Sequence, residues 1–381
     1  MKWLEFAGLI GLWVVAVLRA PGAVRERHQR DLWLAVVLVA VTTTIYEEPV
    51  VAWLAQHIGS PRLIDMGRHV CDIGASTVLL HLISRVTNRR PRTALLLAAA
   101  LSVVVALLLL DFAAPPHARS NLPAPELPSA FWATLFGYNL IANVIVATVC
   151  LRYWRAAREW PLRWSLLTFG AGTALVCLVW VMFLIYVFQR DTAYLRYDSL
   201  IIGVEEILRA VGAGLPLVPA MIRYVKNVGA VWQLWPLWAE LTAAAPHVAL
   251  RRNRFRALGM LTAVFAVQLR LYRMVIEIRD AMLVLDDYIA PSVAVRVDAV
   301  SRGVPARLRD AVRIACLMQA AQRAKLSRSV HPQSLNAAEL GGTNFESELA
   351  FLLDVTRVRR SAAVRGFIDQ LTPDGAVVLN P

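Results

Sequence analysis

Apolar residues fall in seven long blocks before residue 222 and thin out after it. The blocks cover roughly 2–19, 32–56, 65–86, 93–112, 130–151, 164–189 and 199–222. Three stretches, 93–110, 130–151 and 164–189, hold no charged residue over 18, 22 and 26 positions. A bilayer core of ~30 Å needs about 20 apolar residues per helix, so these predict transmembrane helices. The other four blocks carry charges. The last, 199–222, holds Glu205, Glu206 and Arg209. On insertion scales each of these costs roughly 2.5–3.5 kcal/mol at the centre of a spanning helix.

The pattern after residue 222 is helical and amphipathic. Positions 257–288 predict a long helix whose first 13 residues are uncharged, too few to span. Val264, Val267, Leu271, Met274, Val275, Ile278, Met282 and Leu285 recur at steps of three and four and make one apolar stripe. Arg273 and Glu277, four apart, fall on its polar side with Arg279 and Asp280, as a solvated or docking face. The segment 231–241, with Trp232, Trp235 and Trp238, suits a membrane interface. Arg251, Arg252, Arg254 and Arg256 follow it. Two further helices are expected near 304–328 and 344–370, the second opened by a capping box from Thr343 to Glu346 behind Gly341-Gly342. The stretch 293–300 is ambiguous between strand and helix. These patterns divide the chain into a transmembrane domain, 1–222, and a helical domain, 223–381.

Composition sharpens this picture. Hydrophobic residues are 58% and charged residues 18% of 381, against about 45–50% and ~25% in soluble domains. The net charge of +13 is carried by arginine, since Lys occurs only at 2, 226 and 325. After residue 222 there are 21 basic and 13 acidic residues, so the helical domain is itself basic. Beside a bilayer, that charge points to anionic lipid headgroups, and no nucleic acid partner is expected. Cys71, Cys150, Cys177 and Cys316 form no C-x-x-C pair and suggest neither a disulfide frame nor a zinc site.

Arginine placement predicts orientation. The loops after the first, third and fifth blocks hold Arg19, Arg25, Arg27 and Arg30; Arg85, Arg89, Arg90 and Arg92; and Arg152, Arg155, Arg158 and Arg163. The opposite side has only Lys2, Arg62, Arg119, Arg190 and Arg196. The richer side is cytoplasmic by the positive-inside rule, which puts the N-terminus outside and the C-terminal domain inside a cell membrane. The first block is short like a signal peptide. Glu5 interrupts it and arginines follow it, so an uncleaved anchor is expected. Between the fourth and fifth blocks, 113–129 holds five prolines and reads as a stiff or flexible excursion.

Candidate chemistry lies in the polar residues within the apolar blocks. Tyr46, Glu47 and Glu48, then Arg68, His69 and Asp72, then Glu205, Glu206 and Arg209 all fall in the outer half of the bilayer in this orientation. Glu5 joins them. Intramembrane ionisable groups face a bundle interior or a wet cavity, so an outward-opening polar pocket between blocks one, two, three and seven is expected. Two readings stay open: a binding or proton-handling site, and a structural network built on the i,i+4 pairs Arg68–Asp72 and Glu205–Arg209. His69, Asp72 and His81 cannot all ligate one metal from one helix, because 81 lies half a turn away from 72. Asn139 and Asn143 are expected to bond neighbouring helices. Pro216 and Pro219 predict a kink. No metal or cofactor is expected, and the phosphate-loop, zinc-protease, nucleophile-elbow and dinucleotide motifs are absent.

Leu234-Trp-Pro-Leu-Trp238, Ala245-Pro246 and the run Arg-Leu-Tyr-Arg-Met-Val-Ile-Glu-Ile-Arg-Asp from Arg270 to Asp280 resemble an uncharacterised actinobacterial family of membrane proteins. The resemblance implies seven spans, a C-terminal helical domain of unknown function and a transporter label, with no assigned substrate or site residue. Two functions remain. One is a transporter of a cationic or proton-coupled solute, using Glu47, Glu48, Asp72, Glu205 and Glu206. The other is a receptor-like signalling protein whose cytoplasmic domain docks a protein partner.

Overall fold

The computed structural model describes residues 2–58, 60–86, 93–115, 127–249, 264–327 and 341–371. It is all-α, and the chain divides into two compact units, Met1–Ala220 and Met221–Pro381.

The first unit is a helical bundle of α1 (Lys2–Arg25), α2 (Arg27–Tyr46), α3 (Glu48–Ile58), α4 (Pro61–Val86), α5 (Thr93–Ala113), α6 (Ser129–Tyr153), α7 (Trp160–Gln189) and α8 (Asp198–Gly214). The most extensive contacts are α6 on α7, α1 on α8 and α7 on α8. Glycines let two of these seams close. A Cβ at Gly203 would lie 2.7 Å from Leu4 Cβ of α1, and one at Gly212 would lie 2.7 Å from the Phe169 backbone nitrogen of α7. Small residues serve apolar helix pairs this way, because close backbone approach maximises dispersion contact.

Four of these helices are long and apolar enough to cross a membrane: α1 (over Trp3–Arg25), α5, α6 and α7. The α2–α3 pair makes a fifth only if taken as one span, for it bends by 77°. Among the described residues, length and composition therefore support four or five spans where seven were expected. The expected second span, 32–56, is broken at Glu47, whose backbone is extended and whose carbonyl accepts from Val51 to start α3. Pro49 explains the break, since it has no N–H to continue the α2 ladder. Helices α4 and α8 fall short because they carry the ionisable residues, and α8 has only 17 residues. On α5, by contrast, Leu95, Leu97, Leu101, Leu109 and Phe112 are all exposed, an apolar surface without a protein partner.

Arg19 is not in a loop. It is buried within α1, and its guanidinium donates to the Ala213 carbonyl near the end of α8 (Nη2 2.6 Å, Nε 3.2 Å). A cation is favourable there because the last helical carbonyls are unsatisfied and carry the negative end of the dipole. Arg30 does the same for α1 through Ala23 and Val24. Arg89, Arg90, Arg92 and most of the proline-rich excursion lie outside the described residues.

A 3-10 turn, Leu215–Leu217, holds Pro216 and leads into α9 (Val218–Ala244), so the proline pair does interrupt the α-helix. The second unit contains most of α9 with α10 (Val264–Asp286), α11 (Pro291–Arg302), α12 (Arg309–Leu326), α13 (Phe345–Val358) and α14 (Ala362–Asp369). One core joins them. It takes Val231, Leu234 and Leu241 from α9, six residues of the α10 stripe between Leu271 and Leu285, and Ile314, Cys316 and Leu352 from α12 and α13. Val267 is buried with them, while the 251–256 arginines and positions 257–263, where the helix was expected to start, lie outside the described residues. The tryptophan segment therefore belongs to a packed helix, although Trp232 stays exposed. The ambiguous 293–300 is helical within α11. The expected 344–370 helix is two, restarted by Ser361, which caps Val364. Asn344, not Thr343, caps α13: it shares a reciprocal box with Ser347, because Asn344 has extended backbone and a side-chain oxygen that reaches the Ser347 N–H at 2.9 Å.

Candidate functional site

The charges of α4 and α8 converge on one cavity of about 650 Å³ inside the first unit. The cavity draws on the start of α1, the later part of α2, the start of α3, positions 62–79 of α4, 131–143 of α6 and 198–209 of α8, and the last parts of α5 and α7. In an antiparallel bundle those are the same end. All eight expected pocket residues line it: Glu47, Glu48, Arg68, His69, Asp72, Glu205, Glu206 and Arg209. Glu5 does as well.

Nine carboxylates line the cavity (Glu5, Glu47, Glu48, Asp65, Asp72, Asp111, Asp198, Glu205 and Glu206) against three arginines, Arg62, Arg68 and Arg209. Arg62 donates to Asp111 Oδ2 at 2.6 Å. Arg68 pairs with Asp65 at 3.1 Å, not with Asp72, and its guanidinium lies 4.1 Å over the Tyr46 ring. Asp72 instead accepts the Tyr46 hydroxyl at 3.0 Å, which also sits 3.4 Å from His69 Nδ1. Helix spacing allows Arg68 to reach either neighbour; Tyr46, delivered by the α2 terminus, decides the choice.

On α8, Arg209 Nε lies 3.1 Å from Glu205 Oε2, in ion-pair range but without a hydrogen bond between those two atoms. Arg209 Nη2 donates to Asn143 Oδ1 at 3.1 Å. Asn139 accepts from Ser76 at 2.6 Å, so both asparagines bind neighbouring helices as expected. Ser199 donates to Glu5. Unlike Glu205, Glu206 makes no ion pair among the described residues. It is 5% exposed, its Oε2 has no hydrogen-bond partner, and it packs on Gly8, where a Cβ would fall 2.5 Å from Glu206 Cβ.

The remaining wall is aromatic, and sequence reasoning missed it. Phe131, Trp132 and Phe136 of α6 meet Trp180 and Phe183 of α7, with Trp132–Phe136 and Phe136–Trp180 stacked at 5.5 and 5.4 Å. His69 turns its ring edge-on to Phe131 and Trp132. Periodicity carries no signal for this wall, because aromatic residues in an uncharged span look the same whether they face lipid or cavity. Asp111 was legible as a charge ending an apolar block. Among the described residues no three His, Cys, Asp or Glu side chains gather as a metal site.

In the second unit the expected docking face is split. Arg273 and Asp280 are exposed, but Glu277 is buried and accepts from Trp238 Nε1 at 2.6 Å. Position 277 lies three residues after Met274 and four before Ala281, both buried, so it turns inward toward α9. Leu269, Tyr272, Ile276 and Leu283 are exposed on α10.

Residues 223–361 match the profile of a family described as "Family of unknown function (DUF6545)". The match falls within the second unit and α9, and leaves the cavity outside it. No curated protein and no solved structure matches the chain.

Proposed function

We propose that the protein is a multi-pass transporter in the cell membrane that moves a cationic or proton-coupled solute through the first unit. The observation that carries this reading is the excess of carboxylates over arginines in one bundle cavity. In lipid, such charges persist where they serve a path or a ligand. Seven crossings are supported by the way alternate helices bring opposite ends to the same cavity, which fits α1, α2–α3, α4, α5, α6, α7 and α8 running up and down in turn. With Arg19 assigned to α1, the bias in basic residues is 11 to 5 and still favours the N-terminus outside and the second unit in the cytoplasm. The basic second unit then meets anionic headgroups. The test is flux in sealed liposomes holding the purified full chain. Cation or proton flux abolished by Glu205→Gln and Glu206→Gln supports transport. Absence of flux for every cation tried removes it.

A second reading, a receptor-like signalling protein, is favoured by the direct run from α8, through the Pro216 turn, into α9 of the second unit's core. The exposed α10 face with Leu269, Ile276 and Leu283 at seven-residue steps suits an apolar helix of a cytoplasmic protein partner. Loss of a specific partner on Ile276→Asp, without any flux in the wild type, would favour it.

A further inference from the structure

Cavity size, wall chemistry and the state of one carboxylate narrow the solute. We infer that the cavity takes an organic ammonium ion, its charge held at Glu206 and its apolar body against the α6–α7 rings. This rests on reading the first unit as a cation site.

A space of about 650 Å³ falls in the range of roughly 300–1,000 Å³ that holds small organic molecules. A bare metal ion would leave most of it empty, and no metal-ligand cluster exists among the described residues. Pairing singles out one acid among the carboxylates that line the cavity. Asp65, Asp111 and Glu205 already face arginines, and Asp72 accepts from Tyr46. Glu206 has no such partner, with one oxygen sealed and unbonded. Burying an unpaired carboxylate costs several kcal/mol, so a cation that enters the cavity is attracted to this group first. The ring wall supplies the second half of the recognition. Aromatic faces attract ammonium ions, by ~2 kcal/mol or more once water is excluded, and bury an apolar body at the same time. A proton on Glu206 would neutralise it too, but would give no preference for an amine over its neutral counterpart.

The test uses the full chain purified in detergent, with calorimetric titration of phenethylamine and its neutral counterpart propylbenzene. Phenethylamine is expected to bind more tightly than propylbenzene by about tenfold or more. Glu206→Gln should remove that preference while Glu206→Asp keeps it. Trp180→Leu should weaken the amine more than the neutral molecule. If Glu206→Gln does not fold, the Trp180→Leu selectivity and the two wild-type affinities still decide. Equal affinities, or a preference unchanged in Glu206→Gln, overturn the inference. Amine binding without flux in liposomes removes the transporter and leaves this site standing. Metal or proton flux without amine binding does the reverse.

Discussion

Arg209 is the residue whose loss should cost the first unit most. It is 9% exposed, lies 3.1 Å from Glu205 Oε2 and donates to Asn143 at 3.1 Å. Arg209→Met keeps the length of the aliphatic stem and removes the charge. Two adjacent glutamates, 7% and 5% exposed, then share the cavity wall without that cation. Breaking a buried pair from one side costs about 3–5 kcal/mol, mostly through the charge left behind. For units of this size each kcal/mol lowers Tm by roughly 2–4 °C, so a fall of about 6–20 °C is expected. Glu205→Gln alone should also destabilise. The double variant should lose less than the sum of the two, by about 0.5–3 kcal/mol, because removing both charges leaves neither stranded. Thermal unfolding of the full chain in detergent, followed by circular dichroism, reads all three. Additive losses, or an Arg209→Met Tm within about 2 °C of the parent, would refute the coupling.

Three further outcomes are expected. Gly212→Ala places a Cβ 2.7 Å from backbone of α7 and should cost about 1–3 kcal/mol, whereas Gly74→Ala meets nothing within 4 Å and should be neutral or stabilising; equal Tm values would contradict the α7–α8 seam. Asn344→Ala should destabilise the start of α13 by about 1 kcal/mol, seen as faster amide exchange at Ser347, while Thr343→Ala leaves it unchanged; the opposite ranking would put the cap at Thr343. Cys316 is fully buried, and burial pushes its thiol up to about 12, so it stays protonated at neutral pH and thiolate appears only in strong alkali. It should resist maleimide in the native chain and label after denaturation; native labelling at neutral pH would show that the α12 core opens.

The all-α class and the strongest apolar helices were legible in the sequence because each rests on local periodicity. Uncharged runs at 93–110, 130–151 and 164–189 became α5, α6 and α7, and the three-and-four spacing from Leu271 to Leu285 became the buried face of α10. That Glu47, Asp72, Glu205 and Glu206 would share a pocket also followed, since a charge in an apolar helix has few places to turn. Partners did not follow. Arg68 chose Asp65 and Tyr46 over Asp72, Glu277 turned in toward Trp238, and Arg19 reached from α1 to the end of α8. Each choice depends on a side chain delivered from another helix, at an angle and depth that no spacing along one helix encodes. The aromatic wall and the unpaired Glu206 belong to the same class: packing across helices decided which groups were satisfied and which were left open.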